Sequence, residues 1–385
     1  MNAVEEKFSP VYTREQISEL ILLVSTSKGA FFYYADADRR HWDVNGPHFL
    51  GSTVHHLVLD PRDNKTLLAS VHSSANGNNI YRSKDFGKSW ELSSQSPNFH
   101  QNELNRILDH ICFITPGHES DHNVWYAGTS PYGLFKSDDG GKTWVEIYDF
   151  NSQAIFNKLI DINLPSNNYR LHTIIIHPDN KDHIYIGLSM GGFFETINSG
   201  ESWEPLNQGI ENKKFHSSVK YDPYSIILHP SYPDRLFQQS RDGIYRLDRP
   251  ESKWVRIGKN LPKEIGDIGL PITIHPSDPN TIWVFPMDNS DISSRVSPEG
   301  QPAVYCSQDA GESWFRQDIG LPMRNAWFTV TRKCLSTDCM NNAGVYFGTT
   351  SGSLWMSDNE GNSWRQIAVH LPKIKAITTG VILKK

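Results

Sequence analysis

Between Leu171 and Leu206 the chain reads LHTIIIHPDNKDHIYIGLSMGGFFETINSGESWEPL, apolar runs of strand length cut by clusters of turn residues. One run ends in His177-Pro178, an alternating run covers His183 to Leu188, a third follows Gly191-Gly192 and a fourth surrounds Trp203. Pro178, Asp179 and Asn180, then Gly191 and Gly192, then Asn198, Ser199 and Gly200 divide them, which predicts a four-stranded antiparallel sheet. Such a sheet cannot cover both of its own faces. The pattern returns at periods of roughly 50 to 60 residues, so neighbours of the same kind supply the cover, as in propellers and solenoids.

The clearest copies are SKDFGKSW (Ser83 to Trp90), SDDGGKTW (Ser137 to Trp144), TINSGESW (Thr196 to Trp203), SQDAGESW (Ser307 to Trp314) and SDNEGNSW (Ser357 to Trp364). Decayed copies, LDRPESKW and ADADRRHW, end at Trp254 and Trp42, which makes seven. The motifs resemble the Asp-box of bacterial neuraminidase repeats, and the resemblance implies a turn between the third and fourth strands of a propeller blade. The chemistry suits such a turn: Ser and Asp side chains bond its backbone, Gly supplies positive φ, and Trp covers the interface between blades.

The expectation is therefore an all-β chain, a single seven-bladed β-propeller of four-stranded antiparallel blades with Asp-box turns. Residues 1–16 read as a tail or short helix, and 17–385 as the propeller. The blades are expected at about 17–49 with 374–383, 50–97, 105–150, 170–208, 222–259, 268–318 and 324–369. Blade one starts at its second strand, so the C-terminal segment IKAITTGVIL supplies its innermost strand and closes the ring without an open edge. The long connections, Ser94 to Glu103, Asn151 to Tyr169, Gln208 to Lys220 and Asp288 to Gln301, all open on one face, which marks the working face.

The formal net charge of -6, with no basic run beyond Lys213-Lys214, argues against a nucleic-acid partner. Cys112, Cys306, Cys334 and Cys339 form no C-x-x-C pair and read as reduced thiols. The N-terminal stretch is no secretory signal, and the apolar run Leu20 to Val24 is too short to span a membrane. A cytoplasmic location without a membrane partner is the expectation.

Aligning the first strands on their closing turns places His55, His110, His172, Tyr224 and Leu270 at one equivalent position, lining the channel near the long-loop face. Three imidazoles there suit a divalent transition metal, Zn, Mn, Fe or Cu, with an open coordination position. A metal-free polar pocket and plain channel-lining histidines are the alternatives. Further ligand-binding candidates on that face are His56, His72, Tyr224, Arg241, Asp242 and Arg332; the two arginines could clamp a carboxylate or phosphate. Asn76, Tyr132, Met190 and Asp288 share the face. His177, His229 and His275 stand in His-Pro turns on the other face, and Asp85, Asp139 and Asp309 belong to the boxes; both sets read as structural.

Beyond the boxes, GPHFLGSTVHHLVLDPRD, LHTIIIHPDN, LFQQSRDGIYR and GVYFGTTSGSLWMSDNEGNSW resemble bacterial propeller proteins labelled glycosyl hydrolase or exo-sialidase. Where that group tends to place histidine in blade five, this chain has Tyr224. The sialidase Arg-Ile-Pro motif is absent, its region reading HWDVNGPHFLGS, so sialidase chemistry is not expected. The functional expectation is a propeller binding a small polar ligand, saccharide or other anion, at the histidine-lined face. If an enzyme, it is a glycosidase-like hydrolase or a metal-dependent lyase or hydrolase. The alternative is a scaffold gripping a protein partner with its long loops.

Overall fold

The computed structural model describes residues 11–99, 106–152, 168–211, 221–288, 290 and 294–384. It contains seven four-stranded antiparallel sheets and very little helix. Blades two to seven each run through four successive strands, with innermost strands Thr53–Leu59, His110–Pro116, Leu171–His177, Pro223–His229, Gly269–Ile274 and Val330–Thr337. Blade one takes its innermost strand, Ile374–Leu383, from the other end of the chain. That strand pairs with Ile17–Thr26, with Gly29–Ala35 and Trp42–His48 outside it. Expected closure and observed closure coincide.

The apolar faces of the strands meet between blades, so the core is a ring of layers. Ile21, Leu23 and Phe32 of blade one pack on Val54, Leu57 and Leu67 of blade two; Tyr126 and Leu134 of blade three pack on Ile174 and Ile186 of blade four. This is how a repeat that cannot bury itself becomes stable. A buried ion pair locks the seam between blades one and seven. The Arg39 guanidinium donates to both oxygens of Asp338 at 2.8 Å, and the Tyr346 hydroxyl donates to the same carboxylate at 2.7 Å.

The boxes are the turns they were expected to be. In blade two the Ser83 hydroxyl accepts the Gly87 N–H at 2.8 Å, and Asp85 accepts the Ser89 N–H at 2.9 Å and hydroxyl at 2.6 Å. Ser137 with Asp139 and Ser307 with Asp309 repeat the arrangement; Asn198 and Asn359 replace the aspartate in two further copies. Gly87, Gly141, Gly200, Gly311 and Gly361 all hold φ between 80 and 98°, the region that favours glycine. The indole of Trp364 donates to the Gln317 carbonyl of the preceding blade at 3.1 Å, so the box also fastens blade to blade.

Most of the expected long connections, and Lys213-Lys214, lie outside the described residues, as does the expected N-terminal tail up to residue 10. Tyr12 bridges Met340 in parallel, which ties the start of the described chain to blade seven. The one α-helix among the described residues is the short Tyr148–Ser152. No helix among them is long and apolar enough to cross a membrane.

Candidate functional site

Innermost strands ordinarily turn alternate residues toward the channel. Here the ladder between first and second strands slips at nearly the same place in blade after blade. The shifts fall between Val54 and His56, Ile111 and Phe113, Leu171 and Thr173, Pro223 and Ser225, Gly269 and Ile272, and Val330 and Leu335. A β-bulge of this kind bends the strand and re-aims a side chain. Consecutive residues can then face one space, and His55 with His56 and Arg332 with Lys333 do so.

That space is a central cavity of about 540 Å³. His55, His110, His172 and Tyr224 line it, as do Ser225, Thr331 and Cys112. The closing-turn alignment of blade three needs correction. Its slipped residue is Cys112, while His110 starts the strand and pairs with Ser130. The ladder therefore equates Cys112, and not His110, with His55, His172 and Tyr224, because Pro116 still belongs to the strand, paired with Trp125, and the turn begins only at Gly117. His110 still reaches the site, stacked on His55 with ring centroids 4.3 Å apart.

All three imidazoles are held neutral. Burial pushes His55 far below its ordinary value, helped by His110 and Lys375. Burial, then Arg332, acts likewise on His172. His110 falls to about 4, burial outweighing its hydrogen bond to Asp109. Neutral imidazoles could serve a metal, but the surroundings do not suit a dication. Arg170, Arg295, Arg332, Lys333, Lys373 and Lys375 line the same cavity. Among the described residues no group of three or more His, Cys, Asp or Glu is placed to hold a metal ion. The transition-metal expectation for His55, His110 and His172 therefore gives way to a cavity whose charge favours an anion.

The other candidates divide. Tyr224 and Arg332 come together, the guanidinium 4.6 Å above the ring centroid. His56 lines the cavity but is spent structurally, accepting the Ile114 N–H at 3.1 Å and stacking on Phe113. His72, Arg241 and Asp242 do not line it: His72 is exposed against Asn78, and Asp242 is buried with its N–H on the Ser240 hydroxyl. Asp222 stands behind Arg332 and Tyr224, accepting the Met190 N–H at 2.9 Å. Burial raises its carboxyl above the ordinary value, against the pull of Arg332.

Sequence reasoning missed Arg170, Arg295, Lys333, Lys373 and Lys375. Lys333 follows Arg332 directly, and strict strand alternation assigns neighbours to opposite sides; the slip in blade seven defeats that rule. Its ammonium donates to the carbonyls of His55, at 3.1 Å, and Cys112. Lys375 was legible, since it stands in the innermost strand of blade one, whose place the repeat count gives.

Fold and boxes together define the class: a seven-bladed β-propeller with Asp-box turns. Residues 80–92 match the family described as BNR-Asp box repeat. A probable oligoxyloglucan-reducing end-specific xyloglucanase of Neosartorya fischeri is 23% identical over 67% of this chain and 33% of its own length. The oligoxyloglucan-reducing end-specific xyloglucanase of Emericella nidulans is 22% identical over the same shares. The chain thus spans about a third of the length of these relatives. Among solved structures, a GH74 enzyme of Niastella koreensis matches 93% of this chain and 53% of its own, with TM-score 0.61 and 18% identity. The GH74 xyloglucanase of Xanthomonas campestris matches 92% and 53%, with TM-score 0.61 and 15% identity.

Proposed function

We propose that the chain is a glycosidase-like hydrolase or saccharide-binding propeller whose ligand enters the central cavity from the face where the first strands begin. The observation that carries this reading is the cavity itself, of a size typical of small-molecule sites and lined by polar side chains from every blade. The xyloglucanase relatives support a saccharide as the class of ligand.

Glycoside hydrolysis needs a carboxylic acid to protonate the leaving oxygen and a carboxylate to act as base or nucleophile. Asp222 is the candidate for the first role, since burial favours its protonated form. Asp109, bonded to His110, is the candidate on the blade-three side. Neither lines the cavity, so each would have to reach the substrate from behind its neighbours. The test is a screen of xyloglucan oligosaccharides and charged sugars for binding and reducing-end release by the intact chain, beside Ser225→Trp, which fills the cavity. Binding lost in the variant supports the reading; binding equal in both removes the cavity as the site. Asp222→Asn should abolish release while leaving binding intact.

A second reading, docking of a protein partner on the same face, draws on exposed Met323 and Trp327 in the link between blades six and seven. Trp327→Ala would weaken that contact and leave saccharide binding untouched.

A further inference from the structure

Among the described residues, the lining of the central cavity carries positive charge and no negative charge. Six cationic side chains line it, and the described lining residues include no carboxylate. Lys333 is tied to two backbone carbonyls. The side chains of Arg295, Arg332, Lys373 and Lys375 have neither a hydrogen bond nor an ion pair among the described residues, and Arg332 Nε is buried without an acceptor. Asp222 attracts Arg332 through space only.

Their arrangement is two-sided. Arg332 lies over the Tyr224 ring with Arg295 acting on the same pair, while Lys375 comes from the innermost strand of blade one and Lys373 immediately precedes it. Arg170 lies between the two, felt by His110, His172, Arg332, Lys333 and Lys375 alike. Burial costs Arg332 its hydration, and the attraction of Asp222 returns only part of it. A planar guanidinium and two ammonium groups converging on one space match the oxygens of a phosphate-type anion.

We propose that this cavity takes a ligand carrying a phosphate-type dianionic group, a phosphate or sulfate ester on a saccharide-sized body, with the anion between Arg332 and Lys375. The inference rests on the central cavity being the ligand site. A single carboxylate would leave most of the convergent charge unmatched, so charge selects the dianion over a uronate, and both over a neutral sugar.

The test is calorimetric titration of the intact chain with sulfate, pyrophosphate, glucose 6-phosphate, glucuronate and glucose at neutral pH. Pyrophosphate and glucose 6-phosphate should saturate one site, with glucuronate weaker and glucose weaker still. Arg332→Met and Lys375→Met should each weaken pyrophosphate binding about tenfold, as expected for losing a charge-assisted partner. Each should also raise the thermal midpoint of the free protein, because an unmatched buried cation is gone; a cation serving only the fold would lower it. Pyrophosphate affinity unchanged in both variants, or absence of saturable anion binding, overturns the proposal. Neutral sugar bound equally by wild type and Arg332→Met but lost in Ser225→Trp overturns the anion and keeps the cavity. Binding indifferent to Ser225→Trp overturns both.

Discussion

The two mouths of the channel use the same kind of residue to opposite ends. On the turn face, His177, His229 and His275 accept N–H groups two residues on, from Asp179, Ser231 and Ser277, at 3.1 to 3.2 Å. His229 also donates to the Pro276 carbonyl at 3.0 Å, fastening blade five to blade six. On the other face His55 and His110 stack on each other among cations, and their rings serve no turn. A second cavity, of about 490 Å³, opens at the turn face beside His177 and Pro230, and Ile175, Ile226 and Ile227 line both it and the central one, forming an apolar waist. The histidines at the turn end are satisfied internally, which is what a structural role requires. The other end carries charge the fold does not use, which is what a binding end requires.

If stability resides at the turn face, the largest losses should come from there. Asp338→Ala strips Arg39 of its buried carboxylate at the ring seam and should lower unfolding free energy by about 3–5 kcal/mol, read from urea melts. Ser83→Ala leaves the buried Gly87 N–H without its acceptor and should cost about 1–3 kcal/mol by the same measurement. His172→Ala, on the binding face, should shift stability less than either while weakening anion binding. A loss as large as that of Asp338→Ala would erase the contrast between the two ends.

Proton linkage gives the smallest effect and sharpens the same contrast. Burial, then the neighbouring Lys375 and Arg170, brings Lys333 down to about 8, with Cys112 and Cys334 opposing. The folded chain releases this proton before the unfolded chain does, so the group adds stability as pH rises from about 8 toward its ordinary value. For a dianion of fixed charge the sign reverses: sulfate affinity should fall as pH rises through about 8. His110 works at the acid end. Its value near 4 means stability lost as pH falls from its ordinary value toward 4. Sulfate should offset part of that loss, seen as a larger thermal gain near pH 5 than near pH 8.

The fold was legible because its signals are local and repeated. Serine, aspartate, glycine and tryptophan at fixed spacing specify a turn in every blade, and the incomplete first blade pointed to the C-terminal strand as its partner. The site was legible only in part. His55, His172 and Tyr224 could be placed by counting back from a turn. Blade three keeps the same count, but Pro116 still lies in its strand, so counting from Thr115-Pro116 starts two residues early and Cys112 holds the position assigned to His110. Lys333 and Arg170 escaped for a related reason: bulges and strand approaches decide where they point, and no residue type in the strand announces a bulge. The sign of the site also depended on counting lysines and arginines that are far apart in sequence and converge only when the ring closes.

The most direct measurement is anomalous diffraction from crystals of the intact chain soaked in tungstate, a heavy dianion of phosphate shape. The account predicts an anomalous peak in the central cavity between Arg332 and Lys375, lost in Arg332→Met crystals. Peaks confined to surface lysines, with none in the cavity, would contradict it.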